Sequence, residues 1–199
     1  MRTLPLLVSL LALLPAACQN TGSSGSSSVS SSVRADIAIT QPPYSEVHCS
    51  YKERLALSYA CIEVRGNYAL VGRRLAELAS ALEQQGLRPS GPPFALFYDD
   101  PSNTPIDELK SRLCLPIESG VEVRPPLMQD LLPAATVAYA RVSGPYPEVP
   151  RSYPGLWQYL GRMGWQANGP IREIYLVAPG SVRDWSELLT EVQVAVSGS

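Results

Sequence analysis

An internal repeat is the feature that most constrains the fold of this 199-residue chain. The segment 62–68 (IEVRGNY) matches 140–146 (ARVSGPY) at an offset of 78 residues, and the same offset aligns 86–92 (GLRPSGP) with 164–170 (GWQANGP). Five glycine, proline or tyrosine identities recur at this one spacing. A repeated supersecondary unit buries its apolar face against its copy. The chain is therefore expected to fold as two similar halves that share a core.

Each half contains the pattern strand, helix, strand, strand. Apolar-rich segments at 58–64 and 136–142 open the halves as strands. Apolar side chains then recur at helical spacing and end at a glycine that can adopt the left-handed conformation. These stripes are Val71, Leu75, Leu78 and Leu82 before Gly86, and Leu156, Leu160 and Met163 before Gly164. The expected class is α+β, with two strand–helix–strand–strand repeats forming one antiparallel sheet and both helices on one face.

Strand alternation predicts which side chains share a face of this sheet. In the strand at 171–176, we expect Ile174 and Leu176 to pack under the helices. Glu173 and Tyr175 then lie on the opposite, helix-free face. The offset makes Phe97 the counterpart of Tyr175, and the first strand of the second half adds Tyr139 to that face.

The N-terminal segment is predicted to export and anchor the chain. Residues 1–17 carry one early arginine and an apolar run too short to span a bilayer, which is typical of a cleaved signal. The segment resembles a bacterial lipoprotein signal, which implies a lipidated Cys18. Residues 18–43 include a Ser/Gly-rich stretch expected to be a flexible linker. The folded domain is expected over 44–199, with halves near 44–124 and 125–199.

Composition excludes several classes of function. The chain has 16 Lys and Arg against 18 Asp and Glu, so no basic surface for nucleic acid is expected. His48 is the only histidine, and Cys49, Cys61 and Cys114 have no metal-ligand spacing. We expect neither a metal nor a cofactor. Cys61 and Cys114 lie in apolar strands and are expected to be buried, although an exported chain also permits a disulfide.

Four motifs together resemble the GyrI-like (gyrase-inhibitor-like) small-molecule-binding domain, also found as the effector-binding domain of AraC-type and multidrug-sensing regulators. They are FALFYDDP (94–101), RLCLPI (112–117), GPYPEVPRSYPGLWQYLGRMGW (144–165) and GPIREIYL (169–176). The resemblance implies a ligand cleft where the two halves meet. It also implies that an acidic residue after the second Gly-Pro, here Glu173, receives cationic aromatic ligands.

The favoured function is a non-enzymatic, envelope-anchored protein that binds a hydrophobic, cationic small molecule. The resemblance to lipoprotein signals, in which Gln19 follows Cys18, implies a localisation at the periplasmic face of the outer membrane. The candidate ligand-binding residues are Glu173, Tyr175, Tyr68, Tyr146, Tyr139 and Phe97.

Alternative functions remain open at this stage. One is a hydrolase of reactive electrophiles, in which Glu173 acts as general base with Tyr175 or Tyr146 as hydroxyl donor, as in some GyrI-like proteins. A second is haem or tetrapyrrole binding by fold analogy, for which His48 is the only available histidine. An aromatic sheet face also suits a protein partner.

Overall fold

Nine strands and two α-helices form the part of the chain that the computed structural model describes, residues 37–177 and 179–198. The predicted signal segment 1–17 and the predicted lipidation site Cys18 lie outside these residues. The strands are β1 (Cys49–Arg54), β2 (Leu57–Arg65), β3 (Phe94–Phe97), β4 (Lys110–Pro116), β5 (Met128–Leu132), β6 (Ala135–Ser143), β7 (Trp165–Ala167), β8 (Ile171–Tyr175) and β9 (Leu189–Gly198). The helices are α1 (Leu75–Glu83) and α2 (Tyr153–Met163).

The strands follow the order β1-β6-β9-β8-β3-β4-β2-β5, and every neighbouring pair is antiparallel, with β7 added beside β9. The six central strands divide into two triplets, β6-β9-β8 from the second half and β3-β4-β2 from the first. Each half therefore contributes a strand, a helix and two further strands. This confirms the predicted α+β class and its repeat.

One row of facing residues shows that both helices cover the same side of the sheet. Ile62 and Leu113 in this row pack with α1 through Leu78 and Leu82. Val192 in the same row packs with α2 through Leu156. Directly paired residues share a face of a sheet. The row runs Ala140, Val192, Glu173, Ala95, Leu113, Ile62.

The two halves meet along the ladder between β3 and β8. Ala95 lies directly opposite Glu173 in this ladder, and these residues are 78 positions apart. They are therefore equivalent members of the two repeats. A pair of equivalent residues can face each other only at the axis that relates the halves. The pseudo-two-fold axis thus passes between Ala95 and Glu173.

The two ends of the sheet curl towards each other. Two-residue links join β1 to β2 and β5 to β6. Yet β1 pairs with β6 while β2 pairs with β5, and the register continues unchanged from Cys49↔Ala140 to Cys61↔Met128. Two long bent strands therefore form one ladder that ties the opposite ends of the strand order together.

A second apolar core fills the side of the sheet away from the helices. It contains Tyr59, Cys61, Phe94, Leu96, Cys114, Leu132 and Ile174. The prediction that Ile174 packs under the helices was therefore wrong, and Leu176 is exposed. Glu173 and Tyr175 face the helices instead of a helix-free face. Because the curl buries both faces, apolar character in β8 could not indicate which face meets the helices.

Cys61 and Cys114 lie directly opposite each other on β2 and β4, fully buried and as free thiols. This confirms the expectation of buried cysteines. Among the described residues no helix has the length and apolar character needed to cross a membrane. Within the same part of the chain, no group of histidine, cysteine and carboxylate side chains could hold a metal ion.

Helix α2 is held close to the segment before β1 at Gly155. A Cβ atom on Gly155 would lie 2.4 Å from the Cβ atom of Val47. Gly161 on the same helix has no atom within 4 Å of such a position.

We expect Gly155→Ala to lower the free energy of unfolding by about 1–3 kcal/mol, because α2 must move away from Val47. Gly161→Ala, the matched control, should raise it by about 0.5–1 kcal/mol through helix propensity alone. Urea denaturation of both variants tests this. Equal stability of the two variants would contradict the close packing.

Candidate functional site

The candidate site is centred on the carboxylate of Glu173, which is 3 % exposed. The Tyr153 hydroxyl, on the first turn of α2, donates to Oε1 at 2.6 Å. The Tyr175 hydroxyl, two residues along β8, donates to Oε2 at 3.1 Å. Alternation places Glu173 and Tyr175 on one face, and the helix above supplies Tyr153. Both carboxylate oxygens are thus held by tyrosines.

No ion pair of the described residues includes Glu173. Burial raises the pKa of Glu173 to about 7, although the hydrogen bonds from Tyr153 and Tyr175 act in the opposite direction. Glu173 is also the only charged residue in its transverse row of the sheet. A buried carboxylate without a cationic partner lowers the stability of the native state.

Aromatic rings line the space around Glu173. The ring of Tyr146 lies 4.6 Å from that of Tyr175, and the ring of Tyr68 lies 4.7 Å from that of Phe97. These are equivalent pairs of the two repeats. Tyr146 donates its hydroxyl to the Val177 carbonyl at 2.6 Å. This hydrogen bond fixes the position of the Tyr146 ring beside that of Tyr175.

Tyr68 is anchored in the same manner. Its hydroxyl donates to the carbonyl of Lys110 at 2.9 Å and accepts from the N–H of Asp99 at 3.0 Å. The structure thus brings Tyr68, Tyr146, Tyr175 and Phe97 to the helix side of the sheet with Glu173, as a single aromatic cluster around the pseudo-two-fold axis.

The two halves of this cluster differ in polarity. Where the second half has Tyr153, Glu173 and Tyr175, the offset of 78 gives Leu75, Ala95 and Phe97 in the first half. The first half is therefore apolar and the second is acidic and hydroxylated. The aromatic cluster therefore has one charged end and one apolar end, although the fold around it is symmetric.

Tyr139 does not belong to this site, contrary to the sequence-based expectation. It lies on the opposite face of the sheet, where the Lys52 ammonium is 4.3 Å from its ring centroid. Alternation was right to place Tyr139 on the helix-free face. It was wrong to place Glu173 there too, so the two residues are separated by the sheet itself.

Two residues near the site were missed from the sequence. Tyr153 was overlooked, although the offset places it on Leu75, a member of the predicted α1 stripe. Thr190 lies opposite Tyr175 in the β8–β9 ladder, and its buried hydroxyl has no hydrogen-bond partner. An unsatisfied hydroxyl cannot be read from sequence because it depends on the packing around it. His48, by contrast, is exposed and precedes β1.

A model of the GyrI-like small molecule binding domain matches residues 49–197. The chain belongs to this GyrI-like family. The match extends from the start of β1 into β9, and both helices and the Glu173 site lie inside it. No curated protein matches the chain.

Several solved structures share the fold of this GyrI-like chain. The C-terminal domain of EcmrR matches with a TM-score of 0.69 and 17 % identity, covering 77 % of this chain and 99 % of that domain. In an EcmrR–DNA complex, the match has a TM-score of 0.68 and 17 % identity and covers 76 % of this chain. This chain spans only 57 % of that longer EcmrR chain.

Two further structures are more distant. A hydrolase encoded by lin2189 from Listeria innocua matches with a TM-score of 0.56 and 11 % identity, over 76 % of this chain and 93 % of that one. SAV2435, solved bound to tetraphenylphosphonium, matches with a TM-score of 0.50 and 12 % identity, over 75 % and 94 %. At these identities the likeness concerns the fold.

The raised pKa of Glu173 makes stability depend on pH in a defined direction. The native state binds the proton of Glu173 more tightly than the unfolded chain does. The stabilisation that comes from this proton is therefore complete below about pH 4.5 and is lost as pH rises through 7. Glu173→Gln removes this loss. Relative to wild type, the variant should gain about 3 kcal/mol of unfolding free energy between pH 4.5 and pH 8.

Urea denaturation at several pH values measures this difference. Glu63→Gln on β2 is the matched control, because it removes one exposed carboxylate from another strand. Parallel stability profiles for wild type and Glu173→Gln would contradict a buried, titrating Glu173.

Proposed function

We propose that this chain is a membrane-tethered binding protein that holds a hydrophobic cation between its two halves, with Glu173 as the counter-charge. The observation that carries the proposal is a buried carboxylate with no cationic partner among the described residues, surrounded by aromatic rings. A cation placed there gains Coulomb attraction in a poorly solvated setting and contact with the ring faces.

The polarity of the site supports one class of ligand. Glu173 supplies a single negative charge, so a monovalent cation balances it. The apolar half around Leu75, Ala95 and Phe97 suits a hydrocarbon or aromatic body on the same molecule. SAV2435, a protein of similar fold, has been solved with tetraphenylphosphonium, a lipophilic monovalent cation.

The Glu173 carboxylate is buried. Tyr153 and Tyr175 occupy both oxygens of Glu173 and shield it from water. Tyr153 is carried by α2 rather than by the sheet, so a shift of this helix or a rotation of the tyrosine side chain would expose the carboxylate. The positive charge of an entering cation would then stabilise the carboxylate in place of the two hydrogen bonds.

Tetraphenylphosphonium is the probe that tests this proposal. We expect saturable binding to the purified chain by isothermal titration calorimetry, with affinity rising between pH 6 and pH 8 as Glu173 loses its proton. Glu173→Gln should bind about tenfold or more weakly at pH 8, because the counter-charge is lost. The affinity of the variant should no longer depend on pH over this range.

Glu63→Gln provides the control for a general loss of negative charge, and it should bind as wild type does. Undiminished binding by Glu173→Gln would remove Glu173 from the proposal. Absence of binding to the wild type would overturn the cationic ligand class.

Hydrolysis is less well supported by the geometry. A pKa near 7 suits a general base. However, a general base must contact a water molecule or a substrate proton, and both oxygens of Glu173 already accept hydrogen bonds from tyrosines. Tyr146 donates its hydroxyl to the Val177 carbonyl and not towards Glu173. The arrangement favours binding over catalysis.

We also propose that the chain is anchored through a lipid on Cys18, at the periplasmic face of the outer membrane. The support is the N-terminal sequence pattern alone. Cys18→Ser should move the chain from the membrane fraction to the soluble fraction, since the acyl chains supply the anchoring. Cys49→Ser is the matched control. Retention of Cys18→Ser in the membrane would contradict the anchor.

A further inference from the structure

The helix-free face of the sheet carries a second charged cluster, apart from the Glu173 site. Most of its cations have an acidic partner. Glu191 accepts from both Lys52 at 2.5 Å and Arg141 at 3.1 Å. Arg112 pairs with Asp130 at 2.7 Å. These ion pairs neutralise charges at both sides of the face. The centre of the face differs from its sides.

Arg172 lies at this centre and has no acidic partner among the described residues. It is 6 % exposed, and its guanidinium carbon lies 4.1 Å from the ring centroid of Phe94. Its Nη1 atom donates a long hydrogen bond to the side-chain oxygen of Gln193 at 3.4 Å. The buried Nε atom of Arg172 has no hydrogen-bond partner.

Arg54, at the end of β1, repeats this situation on the same face. Its Nη2 atom donates to the carbonyl of Pro133 at 2.7 Å, while its buried Nε atom has no partner. No ion pair of the described residues includes Arg54. Two guanidinium groups therefore keep an unused donor each, and an unused buried donor costs free energy.

The charge of Arg54 also acts on Arg172. Burial lowers the pKa of Arg172 to about 10, and the charge of Arg54 acts in the same direction, while the charge of Glu191 acts against it. Burial likewise lowers the pKa of Arg54. Removing one like charge would relieve the repulsion, and so would adding a negative charge between them. A folded protein keeps two such groups together at a cost that a bound anion would offset.

We propose that the curl of the sheet holds an oxyanion, a carboxylate or phosphate group on a small molecule, between Arg54 and Arg172. The planar fork of a guanidinium matches two oxygens of such a group and favours oxyanions over halide. Arg54 adjoins the exposed link between β1 and β2, where Leu55 is 83 % exposed, so an anion enters from this end.

This site is separate from the Glu173 site. Arg172 and Glu173 are successive residues of β8, so their side chains leave opposite faces of the sheet. One strand thus presents a cation receptor to the helices and an anion receptor to the curl. The two bindings can be measured independently, with different probes.

The test uses inorganic phosphate and acetate as probes with the full chain. Isothermal titration calorimetry at constant ionic strength, balanced with sodium chloride, should show saturable binding of at least one of them. The phosphate and acetate arms show which oxyanion the site prefers. Arg172→Gln and Arg54→Gln should each weaken that binding about tenfold or more, because each removes a charge-assisted contact.

Arg88→Gln is the control, because it removes the same charge from an exposed position elsewhere. It should bind as wild type does. If Arg172→Gln does not unfold cooperatively, the less buried Arg54→Gln decides the result. Absence of saturable binding of both anions to the wild type would overturn the proposal. Equal affinity of wild type, Arg54→Gln and Arg88→Gln would also overturn it.

Discussion

The antiparallel ladder between β3 and β8 is the constraint on which the rest of the structure depends. It places Ala95 opposite Glu173, equivalent members of the two repeats, and so puts the pseudo-two-fold axis at the centre of the sheet. From this pair outward, every strand except β7 has its counterpart in the other half. Both helices then lie on the same face, and the space between them lies over the axis. The position of the site follows from the symmetry.

Symmetry alone would give this space two identical ends, and the function we propose needs them to differ. The replacement of Ala95 by Glu173 and of Leu75 by Tyr153 across the axis makes one end acidic. A buried carboxylate of this kind destabilises the native state at neutral pH, where its deprotonation is opposed by burial. In the function we propose, Glu173 serves binding rather than folding.

The curl of the sheet has a comparable consequence on its other face. Ladder continuity between the two bent strands encloses an apolar core around Phe94 and Ile174, and Arg172 is enclosed with it. Most charges of this face are neutralised by neighbours on adjacent strands. Arg54 and Arg172 have no such neighbour. Strand β8 therefore carries an unpaired charge on each face, Arg172 on one and Glu173 on the other. Low overall charge in a chain therefore does not imply electrically neutral sites.

The sequence by itself determined the α+β class, the repeat with its offset, and the presence of one helix in each half. These are local or periodic properties, and the 78-residue spacing is visible without any tertiary contact. Only the tertiary structure decided which face of β8 meets the helices, because the curl buries both faces and removes the contrast between apolar and polar sides. For that reason Tyr139 was grouped with Glu173 and Tyr153 was missed. The hydrogen bonds to Glu173, its shielding from water and the lack of partners at Arg172 arise only when distant segments are packed together.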